Sequence, residues 1–443
     1  MMDTSVHRHR YSGDACKEPL RVAVIGSGPA GFFCTDYLLR LAQPCVVHMY
    51  ERWPVPYGSA RHAIAPDRQR IRAVTAAFDR IASRQGFHFF GNVTVGKDIS
   101  LQLLQHHYHA VILATGADDG LLLNIPGEET PGFFHITKFA GWYNGRPDCA
   151  FLRPDLTHTA AAVIGAGNAA LDAVRILSLP SDWLPKTDIP EPMQQALASS
   201  AIREIHIIIR RGPLDVRFSL SEFAALFDIP GVSYHLHPEN CLENIQAVSP
   251  EEEQLLSLYK SAHTTPKTAR HIHFHFYSTP KEIQGKEAVS ALVVKSGEED
   301  TAIPCYLIIS AIGQGATEID GIALNAQKSM IPHKAGRVTQ QGIIVPGLYT
   351  AGWAKRSGTG MVGKNKPDCR ETVQAIMDDR DSLQCKIEAV PDLPKDAVTL
   401  DGWHRIDAAE RGRAENTTKT RECFLTVEEM LQAAGIKNKL PSL

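Results

Sequence analysis

Short runs of apolar residues recur along the chain, and most of them end in a turn of small residues. The first run spans 21–25 and is followed by the turn GSGPAG at 26–31. Apolar residues at helical spacing then predict a helix over about 29–41, and a second apolar run at 46–50 ends in Glu51. Continuous apolar runs of this length are typical of buried parallel strands. The pattern predicts a strand, a glycine-rich turn, a helix and a second strand that ends in an acid.

The glycines of this turn have the spacing of a dinucleotide-binding fingerprint. Gly26 permits a tight turn, Gly28 lets a pyrophosphate approach the backbone, and Gly31 lets the helix pack closely on the strand. The pyrophosphate then lies at the helix N-terminus, where unpaired N–H groups and the helix dipole favour an anion. Glu51 follows Gly31 by about 20 residues, a spacing that suits a carboxylate on the ribose hydroxyls.

A second unit of the same kind begins near residue 160. Residues 161–164 form an apolar run, the turn GAGNAA spans 165–170, and a helix is predicted over about 168–178. The fingerprint allows alanine in place of the third glycine. The candidate nucleotide contacts of this turn are Gly165, Gly167, Asn168 and Ala169.

The strand that follows the second unit ends in arginines instead of an acid. This strand spans about 205–209, and Arg210 and Arg211 come directly after it. A guanidinium pairs with a 2′-phosphate, which a carboxylate would repel. We therefore expect the second site to prefer NADP(H) to NAD(H). The alternative is that both arginines only solvate a strand end.

Two dinucleotide sites in one chain suggest a flavoprotein, with FAD at the site that has the carboxylate and NADP(H) at the site that has the arginines. Three further apolar runs also end in small residues, at Thr115-Gly116, Ile312-Gly313 and Gly352-Trp353. Small residues at such points suit a close approach of the backbone to a cofactor. Gly116 is therefore a further candidate FAD contact.

These signals predict an α/β fold with two Rossmann-like dinucleotide-binding domains, in which the NADP domain is inserted into the FAD domain. Residues 1–20 are expected to form a disordered tail. The FAD-binding domain is expected to combine 21–117 with 322–443, and the NADP-binding domain to span 118–321. The segment 239–301 is polar and is expected to be irregular.

Composition excludes several classes of protein. The 443 residues allow about two to four domains. A net charge of −3 argues against a nucleic-acid-binding protein. No apolar run is long enough for a transmembrane helix, and the polar N-terminus lacks the apolar core of a secretory signal. The nine cysteines contain no CxxC pair and fit a reducing compartment. We expect the cytoplasm, with the mitochondrial matrix as the alternative.

The chain resembles the adrenodoxin-reductase-like branch of the ferredoxin–NADP+ reductases, in order, from about residue 21 to a helix predicted at 426–435. The matching motifs beyond the two glycine-rich turns are VPYG at 55–58, APD at 65–67, FGNV at 90–93, IPGE at 125–128, GWYNG at 141–145, RRGPL at 210–214, GW at 352–353, KR at 355–356 and GTG at 358–360. GWYNG and the 353–360 segment are far more specific than a glycine-rich turn.

The resemblance completes a set of candidate site residues. Those for FAD are Gly26, Gly28, Pro29, Ala30, Gly31, Glu51, Arg61, Gly116, Trp353 and Gly360. Those for NADP are Gly165, Gly167, Asn168, Ala169, Arg210, Arg211, Glu222 and Gly360. The resemblance implies that Trp353 lies against the flavin and Glu222 near the nicotinamide, which makes these two the candidate catalytic residues. The alternatives are a core tryptophan and a solvated helix glutamate.

The chain departs from the family pattern between 59 and 68. Ser59 and Ala60 replace two apolar residues that face the flavin region, Ala63 replaces a glycine, and Arg68 replaces a histidine. Arginine does not titrate near neutral pH, so a proton-relay role does not carry over to Arg68. We hypothesise instead that a fixed positive charge at Arg68 stabilises the anionic reduced flavin.

The resemblance implies an enzyme that takes hydride from NADPH on FAD and passes electrons singly to a ferredoxin-type iron–sulfur protein. One alternative is an NADPH-dependent flavin monooxygenase or oxidase with another acceptor, and another is a non-catalytic flavin-binding scaffold or sensor. An acidic partner would need a basic face. Two clusters are candidates, although neither is specific and a solvated face explains each of them better: Arg61, Arg68, Arg70 and Arg72, or Lys260, Lys267 and Arg270.

Three histidines alternate along one predicted strand, at His271, His273 and His275. Alternate residues of a strand point to the same face, so the three imidazoles should lie together. Imidazoles can bind a metal, but no neighbouring acid or cysteine completes a ligand set. We expect a hydrated sheet face and no metal site.

Overall fold

The computed structural model of the chain describes residues 19–262, 270–325, 329–358, 362–384 and 389–436. Its strands are β1 (Leu20–Ile25), β2 (Cys45–Tyr50), β3 (Phe87–Phe90), β4 (Ala110–Leu113), β5 (Asp119–Gly120), β6 (Phe133–His135), β7 (Ala160–Ile164), β8 (Glu204–Ile208), β9 (Val232–His237), β10 (Arg270–His275), β11 (Ser278–Gln284), β12 (Ala291–Ser296), β13 (Glu299–Pro304), β14 (Leu307–Ser310), β15 (Gln314–Gly315), β16 (His333–Lys334), β17 (Arg337–Gln340) and β18 (Ile343–Thr350).

The helices alternate with these strands. They are α1 (Pro29–Leu38), α2 (Ser59–His62), α3 (Gln69–Arg72), α4 (Thr75–Ala82), α5 (Leu101–His107), α6 (Ile136–Tyr143), α7 (Asn168–Ser178), α8 (Glu191–Ala198), α9 (Leu220–Ala224), α10 (Pro250–Ala262), α11 (Trp353–Arg356), α12 (Asn365–Asp378), α13 (Leu400–Arg413) and α14 (Val427–Ala433). Short 3₁₀ turns lie at Leu184–Lys186 and Val362–Lys364.

A seven-stranded sheet is built from two distant parts of the chain. Its order is β16-β17-β18-β4-β1-β2-β3, and its strands come from residues 20–113 and 333–350. From β18 to β3 the neighbours are parallel. The core beside it joins both parts, since Val22 and Phe32 share a cluster of buried residues with Trp403 and Met430.

A six-stranded sheet is formed by the intervening segment. Its order is β6-β14-β7-β8-β10-β9, and every neighbouring pair is parallel. The antiparallel strands β11, β12 and β13 pack on one of its faces, where Leu292 and Val294 join Ala162 and Ile164 in one apolar cluster. The predicted α/β fold class with two dinucleotide-binding sheets is confirmed.

Three expectations about local structure need correction. The segment 239–301 is not irregular, because it holds α10 and the strands β10 to β13. The first helix ends at Leu38 instead of near Leu41, since the backbone N–H groups of Arg40 and Leu41 reach back only three residues and tighten the chain into a turn. Residues 1–18 of the expected tail lie outside the described residues, and Leu20 already belongs to β1.

In the described ranges, no helix combines the length and the apolar character needed to cross a bilayer.

Candidate functional site

A single cleft of about 1480 Å³, called the central cleft below, opens where strands of both parallel sheets end. Residues that follow the carboxyl ends of β1, β2 and β4 line it on one side, and residues that follow β7, β8 and β14 line it on the other. Open parallel sheets bind their ligands at this edge, because the turns there present backbone N–H groups and helix N-termini. The central cleft is therefore the candidate site.

The two glycine-rich turns in the central cleft are built alike. Gly26 has φ +101°, and a Cβ added there would press on the carbonyl oxygen of Ala114. Gly165 has φ +136°, and an added Cβ would lie 2.5 Å from the carbonyl oxygen of Ala311. Each glycine thus makes a turn that passes close to the neighbouring strand end, and no side chain can replace either one without moving the backbone.

Both turns lead into helices whose first N–H groups have no side-chain cap. Gly28 is the N-cap of α1, Gly167 is the N-cap of α7, and neither helix start carries a side-chain cap. A Cβ added at Gly31 would press on the carbonyl oxygen of Gly26, so this glycine lets α1 lie directly over the turn. Uncapped N-termini of this kind are suited to two pyrophosphates.

Glu51 is fixed at the end of β2, facing the central cleft. Its side chain is 8% exposed, and its Oε2 accepts hydrogen bonds from the backbone N–H of Ser27 at 3.0 Å and from the Ser27 hydroxyl at 2.7 Å. Its Oε1 accepts from the Trp53 N–H at 3.2 Å. These donors hold the Glu51 carboxylate beside the first turn. In that position the carboxylate can accept a hydrogen bond from a ribose hydroxyl.

Helix α2 lies against the first turn because two glycines meet there. A Cβ added at Gly58 would be 2.7 Å from the Cα of Gly28. Ser59, His62 and Ala63 then face the central cleft, at the i, i+3 and i+4 positions of one helix face. The remaining members of α2 point away from the cleft.

Ala60 and Arg61 are the α2 residues that turn away. Ala60 is 1% exposed in the core of the first unit, so the expectation that it faces the flavin region is not met. Arg61 does not line the central cleft either. Its guanidinium is buried, pairs with Glu410, and lies 5.5 Å from the centre of the Trp403 ring.

Trp353 reaches the central cleft through a similar contact. Gly352 has φ +75° and touches Ala30 of α1, and Trp353 then begins α11 and lines the cleft. The Asp368 carboxylate accepts from the Gly352 N–H at 2.6 Å and pairs with the buried Lys355 at 2.8 Å. A buried ion pair thus fixes the backbone just before Trp353 close to the start of α1.

The second turn is tied to α9 by one side chain. The Oδ1 of Asn168 accepts a hydrogen bond from the Ser219 N–H at 2.8 Å, and the Ser219 hydroxyl caps the helix that carries Glu222. Arg210 and Arg211 leave the end of β8 into the central cleft, and both are exposed. In the described part of the chain, no carboxylate pairs with either arginine.

Glu222 lies in a cluster of charged groups that joins the two units. It pairs with Arg68 at 2.5 Å, while Arg175 pairs with both Asp67 and Asp172. Burial, and next the nearby Glu222 carboxylate, raise the pKa of Asp172 to about 7. The sequence suggests a lone fixed positive charge at Arg68. In the structure, this charge is instead balanced by Glu222.

Most predicted site residues meet in the central cleft. It is lined by Gly26, Gly28, Pro29, Ala30, Glu51, Gly116, Gly165, Gly167, Asn168, Ala169, Arg210, Arg211, Glu222 and Trp353. Gly31 packs behind the turn, Arg61 is directed elsewhere, and Gly360 lies outside the described residues.

Sequence reasoning missed several polar groups of the cleft wall, among them His62, Thr137 and Asp172. Helical spacing would have found two of them. His62 lies three residues after Ser59, and Asp172 lies four residues after Asn168, so each shares a helix face with a residue already at the cleft.

The first basic cluster does not form a continuous exposed face. Arg61 and Arg68 are ion-paired, and Arg72 donates to the carbonyl oxygens of Arg61 and Ile64 and to the Asn144 side chain. Lys267 lies outside the described residues.

The three histidines of β10 share one face, as the alternation predicts, and the group of rings is larger than predicted. Rings from β8 and β9 join those of β10, so the group contains His206, His235, His237, His271, His273 and His275. Three pairs lie 3.0 Å apart, nitrogen to nitrogen. Within the described ranges, no three histidine, cysteine or acidic side chains are arranged to hold a metal ion.

The known proteins that this chain matches agree with one another. The family model "Pyridine nucleotide-disulphide oxidoreductase" matches residues 20–182. The chain is 33% identical to mitochondrial NADPH:adrenodoxin oxidoreductase from Bos taurus, over 94% of this chain and 92% of that protein. It is 36% identical to a probable ferredoxin/ferredoxin–NADP reductase from Mycobacterium leprae, over 95% and 78%. The solved structure of Mycobacterium tuberculosis FprA in complex with NADPH matches with a TM-score of 0.87 and 31% identity, over 94% of this chain and 99% of that one. With this identity over nearly its whole length, the chain belongs to the adrenodoxin-reductase-like family of ferredoxin–NADP+ reductases.

Proposed function

We propose that this chain is an FAD-dependent oxidoreductase that takes hydride from NADPH and passes electrons singly to a ferredoxin-type iron–sulfur protein. The observation that carries the proposal is the central cleft itself, into which two dinucleotide-binding turns open from two separate sheets. One turn has a carboxylate beside it and the other has two arginines, which suits two different nucleotides.

The first half of the central cleft fits FAD. The hydroxyls of Thr115 and Thr137 line it and have no hydrogen-bond partner. A Cβ added at Gly116 would meet only open space, so the backbone there is open to a ligand. Glu51 and the α1 N-terminus would hold the ribose and the pyrophosphate, and Trp353 would cover the ring system.

The second half fits NADPH. Arg210 and Arg211 would pair with the 2′-phosphate, and the uncapped N-terminus of α7 beyond Gly167 would hold the pyrophosphate. Glu222, held by Arg68, would lie beside the nicotinamide. Because both halves line one cleft, the two nucleotides would bind next to each other.

The flavin supplies the redox chemistry, since it accepts two electrons as hydride and can release them one at a time. The chain must also release a proton, because NADPH delivers a hydride and the iron–sulfur acceptor takes only electrons. Asp172 is a candidate for this task, because it lines the central cleft and burial, with the nearby Glu222 charge, raises its pKa to about 7 in spite of its pairing with Arg175. Glu222 helps to set that pKa through its neighbouring charge.

The two sheets also suggest how the chain is divided into domains. We infer that 21–117 and 322–443 form the FAD-binding domain and that 118–321 form the NADP-binding domain. Supporting this, the seven-stranded sheet takes its strands only from the two outer segments, and the six-stranded sheet takes its strands only from the inner one.

We also infer a reducing compartment, with the cytoplasm preferred and the mitochondrial matrix as the alternative. The cysteines of the described residues are free thiols, which fits such a compartment. Fractionation of cells that express the full chain tests this inference, and recovery from the secreted fraction would contradict it.

An anaerobic absorption spectrum of the purified protein, taken before and after NADPH is added, tests the main proposal. A flavin band that bleaches with NADPH and only slowly with NADH supports it, and subsequent reduction of a ferredoxin confirms the acceptor class. NADPH oxidation that needs oxygen and an organic substrate would instead support the monooxygenase or oxidase. A flavin band that NADPH never bleaches would support the scaffold.

A further inference from the structure

One buried imidazole in the central cleft has no role in the site described so far. His62 is 5% exposed, and it lines the cleft on the face of α2 that also carries Ser59 and Ala63. The contact between Gly58 and Gly28 fixes this helix against the first glycine-rich turn. The ring of His62 therefore occupies a defined place beside the FAD half of the cleft.

Buried histidines in the described residues otherwise have hydrogen-bond partners. The Nδ1 of His48 lies 2.6 Å from the Tyr108 hydroxyl, the Nδ1 of His107 lies 2.6 Å from a backbone carbonyl oxygen, and the Nδ1 of His109 accepts from a backbone N–H at 3.0 Å. No such bond to the ring of His62 is formed by any described residue. The ring lines the cleft, and a polar group on a cleft wall that no described residue bonds is available to hydrogen-bond a ligand there.

The surroundings of His62 keep its ring neutral. Burial lowers its pKa well below the usual range, and the neighbouring guanidinium groups of Arg61, Arg146 and Arg72 lower it further, against a smaller opposite effect of Asp148. A neutral imidazole offers one N–H donor and one nitrogen acceptor at the same time. An uncharged heterocycle with donors and acceptors along one edge can then bond the ring of His62 through one of its two nitrogens.

We propose that His62 is a positioning residue that hydrogen-bonds the bound FAD and so contributes to its affinity. This inference rests on the proposed function, because it requires FAD in the first half of the central cleft. FAD is preferred to NADPH as the partner because α2 packs on the Gly28 turn and not on the turn at Gly167. Ser59, three residues earlier on the same face, also lines the central cleft.

The test compares His62→Phe with His62→Asn, using quenching of FAD fluorescence to measure binding to the apoprotein. Phenylalanine removes both hydrogen-bonding atoms, and we expect it to raise the dissociation constant of FAD about 5- to 100-fold. Asparagine keeps a donor and an acceptor, and it should restore most of the affinity. Equal affinity of the wild type and His62→Phe would overturn the proposal.

Thermal unfolding of the apoproteins separates ligand binding from a structural role. Since no described residue hydrogen-bonds the ring of His62, the apo form of His62→Phe should unfold at the same temperature as the wild type or higher. His107→Phe is the matched control, because it removes a buried imidazole that is bonded within the protein and lies outside the cleft. The control should unfold at a lower temperature and bind FAD as the wild type does.

The outcomes also distinguish this inference from the proposed function. A wild-type protein that binds no FAD would remove the proposed function and this inference together. A wild type that binds FAD and is reduced by NADPH, with a His62→Phe variant of unchanged affinity, would remove only the role of His62. A His62→Phe apoprotein that unfolds at a much lower temperature, with FAD affinity unchanged, would show that the ring serves the fold instead.

Discussion

Replacing both Arg210 and Arg211 by glutamine tests the nucleotide preference of the second site. Both side chains are exposed at the end of β8, and both line the central cleft. Within the described residues neither is engaged by a carboxylate, so the substitution breaks no internal ion pair. The fold should therefore tolerate the change, and its effect should fall on the nucleotide.

The expected magnitude follows from this exposure. A charge-assisted hydrogen bond to a phosphate contributes about 1.5–3 kcal/mol, and solvent at an exposed site reduces that to about 1–2 kcal/mol for each arginine. One substitution should then lower kcat/KM for NADPH about 5- to 30-fold, and both together about 30- to 1000-fold. NADH lacks the 2′-phosphate, so its kcat/KM should change less than about twofold.

The assay is steady-state reduction of a chemical one-electron acceptor by NADPH and by NADH, at low and at high salt. Arg40→Gln is the charge-matched control, because Arg40 is 64% exposed and pairs with Asp36 outside the central cleft. The control should leave both kcat/KM values unchanged. An equal loss with NADPH and NADH in the double variant would refute pairing with the 2′-phosphate.

Three further predictions concern FAD retention, the ion pair between Arg68 and Glu222, and the histidines of the six-stranded sheet. Gly31→Ala should abolish FAD retention, seen as loss of the yellow colour on gel filtration, because the added methyl meets the carbonyl oxygen of the turn's first glycine. Arg68→Gln and Glu222→Gln should be non-additive in thermal unfolding by about 1–2 kcal/mol, since each removes the other's partner, and additivity would contradict the pairing. Burial lowers the pKa of His206 to about 4 and that of His275 to about 3, so an unfolded chain takes up protons below pH 6.5 while the folded chain does not. Stability should therefore fall from pH 6.5 to 4, and His206→Phe should flatten that fall; an identical pH profile in the variant would exclude this cause.

The strands and turns of the cleft could be predicted because their signals are local. The helix at 168–178 matches the structure at both ends, and the first and second turns both form at the predicted glycines. Such units are recognisable because an apolar run, a glycine spacing and a helix follow one another directly in the chain. The fold class could be predicted because the chain contains two of these units and further apolar runs that end in small residues.

The orientation of single side chains could not be predicted in the same way. Arg61 was a candidate flavin contact, but a buried carboxylate almost 350 residues later draws its guanidinium into the core. The partner of Arg68 likewise comes from the other unit, so a charge that seemed isolated in the sequence is neutral as a pair. Contacts between distant segments leave no local pattern, and they decide which face of a short helix such as α2 reaches the cleft.

The position of β18 has a consequence for how the chain is made. This strand pairs with β4 in the middle of the seven-stranded sheet, yet roughly 230 residues separate the two in the chain. At about 5–20 residues per second, a ribosome needs roughly 10–50 s to cover that distance. During this interval β4 has an open edge, while the six-stranded sheet takes all its strands from residues already synthesised. The six-stranded sheet of the nicotinamide half can thus assemble while the chain is still on the ribosome. The seven-stranded sheet of the flavin half can be completed only when the last quarter of the chain is synthesised. Flavin binding is therefore a late step in the synthesis and folding of the protein.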